Sequence, residues 1–330
     1  MRKAAATAAV LASALALSAC ASEDLIAPVP QAAVAGPVID RSRIETLIAD
    51  TQTVVDAADT AVDATGLSAR FGDPALRMRK AQYGLQSAVG TPVPHLTLLG
   101  DNIAVTDSQT WPRTMVSIGS VGDSGLPTAF IFVQNDARSS YRLQSWVRLL
   151  GGTEFTIPNI QVGSNTVQGT SEGFVRTPEE TLASYVELIN SGAESNEVFG
   201  ADEFTSKMRS DVNKLNESVQ ASGSVTAGAQ LSDLPISGVV LENGSALVSA
   251  SFTYTLTYAR TVAGSNLRLS GATAALAPGE DPGVKGSAVA NYLTTVLFLV
   301  PSAQAGGTIS VVGAEQVLES VAVDESTSPD

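Results

Sequence analysis

The sequence predicts an α+β protein built as two tandem halves, each a pair of helices followed by a curved antiparallel sheet. Three observations carry this. Apolar residues recur at three-to-four spacing over residues 40–65 and again over 177–221. After each of these stretches the period drops to two. A Gly-, Asn-, Thr- and Ser-rich segment at 151–177 separates the two series.

Asp40 is placed to cap the first helix, and Ile44, Leu47, Ile48, Val54, Val55, Ala58 and Val62 form its apolar stripe. Thr65-Gly66 ends it. Asp73-Pro74 starts a second helix through Leu76, Met78, Tyr83 and Leu85. Alternating runs follow at 96–98, 103–105, 115–118, 129–133 and 141–149, divided by turn residues. One short strand is expected around Phe155 to Val162. Thr177-Pro178-Glu179-Glu180 is a capping box with Pro at the first helical position. Leu182, Tyr185, Val186, Leu188 and Ile189 form that helix's buried face, and Asn190-Ser191-Gly192 stops it. A fourth helix is expected from Ala201 to Ala221, then strands at 234–241, 246–260, 288–300 and 308–323. In Ser249 to Tyr258, Ser and Thr alternate with large apolar residues, predicting one wet face and one buried face.

The N-terminus gives an address. Met1-Arg2-Lys3 is basic, and Ala4 to Ala16 is apolar but too short to span a bilayer. Cys20, the chain's only cysteine, follows Leu17-Ser18-Ala19. This arrangement resembles the bacterial lipobox, which implies cleavage after Ala19 and lipidation of Cys20. Cleavage after Ala21, as in a plain secreted protein, is the alternative. The expected organisation is therefore a signal peptide at 1–19 and a lipidated Cys20 with tether at 20–38. The first half then occupies 39–152, a linker 153–176, the second half 177–323 and a disordered tail 324–330.

The formal charge is −14, and removing Arg2 and Lys3 makes it −16, because residues 1–19 hold no acid. Such a chain is a poor fit for nucleic acid or anionic lipid headgroups. The expected membrane contact is therefore the lipid anchor alone. With Cys20 modified no thiol remains, and His95 is the only imidazole, so neither a metal centre nor a cofactor is expected. No phosphate loop or dinucleotide fingerprint is present.

Gly122-Asp123-Ser124-Gly125 matches a serine-protease nucleophile motif. His95, Asp101 or Asp107, and Ser124 follow in the right order. They are too close in sequence for that fold, and a hairpin turn explains them. His95 reads as a surface or capping residue. Asp56, Asp59 and Asp63 share a helix face, which reads as solvated. Glu179 and Glu180 favour the helix dipole. No catalytic residue is expected. Trp111 and Trp146 are the candidate pocket lining, for a small apolar or glycan ligand, with core packing as the plain alternative.

The order of elements resembles the cystatin-like or nuclear-transport-factor-2-like cone, here in tandem. The lipobox, the tether, Trp111-Pro112-Arg113 and Leu182-Ala183-Ser184-Tyr185 resemble a family of actinobacterial lipoproteins of unknown function. That resemblance implies a protein held by lipid on the extracytoplasmic face of the cell membrane. No catalytic residue comes with it. The expected role is binding or scaffolding of an envelope protein or wall component. A small-ligand carrier or an enzyme using a cone pocket is the alternative.

Overall fold

The computed structural model of the protein describes residues 36–98, 102–108, 110–119 and 127–330. Ala19, Cys20 and the signal-like segment lie outside the described residues, as do Asp101 and the Gly122–Gly125 turn. The described chain is mixed α+β, with a large antiparallel sheet and five α-helices. None of those helices is long and apolar enough to cross a membrane.

Helix α1 (Arg41–Ala61) starts where Asp40 accepts a hydrogen bond from Arg43 N at 2.9 Å. It closes on Val62 in the left-handed region, at φ 51°. Helix α2 (Ala75–Val89) follows Pro74 and ends on Gly90. The expected strand at 96–98 does not form. Instead the Gln52 side chain occupies its backbone: Leu98 N donates to Gln52 Oε1 at 2.8 Å, and Gln52 Nε2 donates to Leu96 O at 3.0 Å. A meander follows, of β1 (Asn102–Val105), β2 (Arg113–Gly119), β3 (Thr128–Gln134) and β4 (Arg142–Leu149).

The stretch 155–162 is not a strand. Pro158 lacks a ladder donor, and Asn159 begins a turn closed by Val162 N to Asn159 O at 2.9 Å. Strand β5 (Thr166–Gln168) lies just beyond it. In α3 (Pro178–Ser191), both bonds of the capping box are made: Glu180 N to Thr177 Oγ1 at 3.3 Å and Thr177 N to Glu180 Oε2 at 2.9 Å. Gly192 caps its end. Helix α4 (Glu203–Val219) is capped by Asp202, which accepts from Thr205 N at 2.8 Å.

The second series of strands begins with β6 (Gly223–Leu231), which has no counterpart in the expected elements. Its Ala, Gly and Ser content gives no apolar period. Then come β7 (Ser237–Val240), β8 (Ala246–Arg260), β9 (Leu267–Arg268), short helix α5 (Gly271–Leu276), β10 (Gly283–Val284), β11 (Ser287–Val300) and β12 (Ser310–Asp324).

Ten strands form one antiparallel sheet in the order β1-β2-β3-β4-β12-β11-β8-β7-β5, with β6 also paired to β8. The halves are thus joined rather than separate. β4 pairs with β12 at Leu149↔Gly313 and Arg148↔Ala314, one end of each strand. The sheet's two ends also meet, through a parallel bridge between Thr106 and Ser164.

The core follows this joining. Helices α3 and α4 pack on β6, and α3 also on β8, over a core in which Tyr185 of α3 meets Phe199, Phe252 of β8 and Phe298 of β11. Helices α1 and α2 cover β2–β4, and their core takes in Leu293 and Val317 from the second half. A third cluster unites Val116, Ile131 and Val147 with Val239, Leu247 and Leu297 across the inside of the curved sheet.

The wet face expected of β8 is therefore wet only in part. Ser249 and Ser251 are buried inside the sheet, where Ser145 Oγ and Ser249 Oγ lie 2.7 Å apart and Ser251 Oγ and Thr295 Oγ1 lie 2.8 Å apart. The expected disordered tail is tied down as well. Arg260 Nη2 holds Asp330 at 2.5 Å and Ser328 Oγ at 2.9 Å.

Candidate functional site

The two tryptophans are not brought together. Trp146 is 2% exposed and belongs to the core beneath α1 and α2, so core packing accounts for it. Trp111 precedes β2, is 38% exposed, and stacks under the Arg113 guanidinium at 4.5 Å from its ring centroid. Arg113 Nε and the Tyr141 hydroxyl are buried without a hydrogen-bond partner among the described residues. Burial pushes the Tyr141 hydroxyl up to about 12, against the pull of Arg113.

His95 is exposed, with Nε2 at 3.2 Å from Asp56 Oδ1 and Nδ1 at 3.2 Å from Thr97 Oγ1. The carboxylates on α1 and just past its end have separate partners. Asp50 pairs with Arg70 at 2.6 Å, Asp56 accepts from Gln52 at 2.6 Å, and Asp63 accepts from Thr65 Oγ1 at 2.7 Å. No group of three or more His, Cys, Asp or Glu residues is placed to hold a metal among the described residues.

Asp59 corrects the expectation of a solvated acidic face. It is the counter-ion of Arg79, which is 0% exposed. Arg79 Nε donates to Asp59 Oδ1 at 2.9 Å while Nη2 engages Oδ2, a bidentate pair. Arg79 Nη1 also donates to Gln82 Oε1 at 2.8 Å and Pro94 O at 2.9 Å. Tyr83 OH donates to Asp59 Oδ1 at 2.6 Å, and burial together with that carboxylate pushes the phenol well up. These bonds tie α1 to α2.

A groove of about 230 Å³ between α3, α4 and the sheet has the opposite character. Val225, Thr226 and Ala227 of β6 and Tyr254 of β8 line it on the sheet side. Ile189, Asn190, Gly192 and Ala193 at the end of α3, with Thr205, Met208, Arg209 and Val212 of α4, complete it. Asn190 secures β6 to α3 by pairing with the Ala229 backbone in both directions, at 2.8 and 2.9 Å. Arg209 is half-buried and makes no ion pair or hydrogen bond with any described residue. Its guanidinium lies against Gly192: a Cβ there would come within 2.9 Å of both Nη atoms, and φ is +78°. Glycine at 192 therefore serves the helix end and the room for Arg209 at once. Burial pushes Tyr254 up to about 12, with Arg209 pulling the other way, so its hydroxyl stays protonated at neutral pH.

This groove is not legible in the sequence. Three of its lining residues lie on β6, whose period is concealed, and Arg209 reads as an ordinary polar position on an amphipathic helix. No family model, curated protein or solved structure matches the chain.

Proposed function

We propose that this protein is a lipid-anchored binding protein on the extracytoplasmic face of a bacterial cell membrane. It would engage an envelope protein or wall component without turnover. The observation that carries the proposal is the placement of Cys20 directly after Leu17-Ser18-Ala19, behind a basic and apolar leader. One acyl chain gives marginal membrane binding, whereas two or more hold stably, at about 0.8 kcal/mol per buried methylene. An anionic body, formally −14 with the leader included, has no electrostatic attraction to a negative surface, which leaves the work to the acyl groups. In this reading each half keeps the helix-helix-meander plan of a cystatin-like cone, and the two plans are fused through β4 and β12. The satisfied Asp59–Arg79–Tyr83 cluster supports a structural rather than a catalytic use of the chain's best-positioned charges.

A second reading, a small-ligand carrier, is favoured by one observation: the α3–α4 groove and its unpaired Arg209. The anchoring proposal is tested by fractionation. Cys20→Ser is expected to move the protein from the membrane to the soluble or secreted fraction. Unchanged membrane retention of that variant, or an unmodified sulfur on the mature chain by mass spectrometry, would refute it.

A further inference from the structure

We infer that the groove between α3 and α4 is a binding site for a small monocarboxylate with an apolar tail, its carboxylate seated on Arg209. This rests on the small-ligand reading of the groove and not on the membrane anchor.

The argument begins with charge. The chain carries 33 acidic residues against 19 Lys and Arg, yet none of the described acids is placed on Arg209. The nearby carboxylates are otherwise engaged: Asp211 accepts from Lys207 at 2.5 Å, Asp202 caps α4, and Glu194 accepts from Ser206 at 3.3 Å. A half-buried guanidinium without a counter-ion loses hydration and gains nothing in return. Its planar fork matches a carboxylate in two parallel hydrogen bonds, which an ammonium does not do.

The rest of the groove sets the tail. Met208, Val212, Ile189, Ala193 and Val225 are apolar, and the Tyr254 ring adds its edge and a hydroxyl able to donate. A volume of about 230 Å³ equals roughly eight water molecules of liquid. That is room for a short or medium chain and too little for a folded polymer or a nucleotide. Ala227 and Thr226 are exposed on the sheet side, which leaves a mouth for entry.

The test uses the full chain carrying Cys20→Ser, to avoid detergent, with octanoate as probe, 1-octanol as the uncharged match and acetate as the tailless one. Calorimetric titration is expected to show saturable octanoate binding, at least tenfold tighter than 1-octanol or acetate. Arg209→Gln is expected to weaken octanoate at least tenfold, with Arg209→Lys in between. Ala227→Trp fills the groove from an exposed position, so it should abolish binding while the circular dichroism spectrum stays unchanged. Equal binding of octanoate and 1-octanol would overturn the carboxylate assignment and leave a small apolar ligand. Equal binding of acetate would overturn the tail. Absence of binding by all three probes would overturn the small-ligand reading with it, and retained octanoate binding in Ala227→Trp would move the site elsewhere.

Discussion

Replacing Arg79 by Met should be among the most damaging single changes in the protein. The side chain is 0% exposed and its donors reach Asp59, Gln82 and Pro94 O. Met fills most of the volume and supplies none of those donors. What remains is the Asp59 carboxylate, whose side chain is only 18% exposed, held by the Tyr83 hydroxyl alone. Breaking one partner of a buried pair costs about 3–5 kcal/mol, because the other charge stays behind uncompensated. Against a typical total of about 5–15 kcal/mol, this is a large fraction of the stability. Urea unfolding should show it as a lower midpoint with an unchanged slope. Removing both charges, as Arg79→Met with Asp59→Leu, leaves no stranded ion and should recover most of the loss. A single variant within about 1 kcal/mol of the parent would refute this reasoning. So would a double variant as damaged as the single.

Two further predictions probe the joining of the halves. Ser145 and Ser249 face each other across the inside of the sheet at 2.7 Å, so either Ser→Ala change strands one buried hydroxyl, at about 1–3 kcal/mol. The double Ala variant should be nearly neutral, and strict additivity in a double-mutant cycle would show that the hydroxyls do not pair. Glu315 sits beside Arg148 at 3.2 Å, and burial raises its carboxyl above the ordinary 4.5, with Arg148 pulling it back. The folded state then holds that proton more tightly than the unfolded chain. Its contribution therefore destabilises progressively as pH rises above about 4.5. Glu315→Gln should gain stability relative to the parent across that range, measured by urea unfolding at several pH values. A difference that stays flat or falls with pH would contradict the assignment.

Local signals placed most of the elements. The Thr177–Glu180 box, the Asp40 cap and the Gly192 stop each satisfy backbone groups within a few residues, so spacing alone locates them. Strict alternation did the same for β8. The failures have physical causes of equal specificity. Residues 96–98 alternate like a strand, but their backbone partner is the Gln52 side chain. The small residues of β6 pair beside β8 under α3 and α4 without producing a period. Asp59 looks like one more acid on a wet helix face until Arg79, 20 residues away, is folded against it.

By itself the sequence determined the mixed α+β class, the capped helices, the alternation of β8 and the acidic character, because each is a property of composition or of neighbours in the chain. Only the tertiary structure decided that both halves share one sheet, that Ser249 and Ser251 are interior, and that Arg209 faces a groove with no counter-ion among the described residues. Those facts depend on pairings between residues far apart in sequence, such as Leu149 with Gly313. A residue's own periodicity carries no information about which distant edge, hydroxyl or charge will be brought against it.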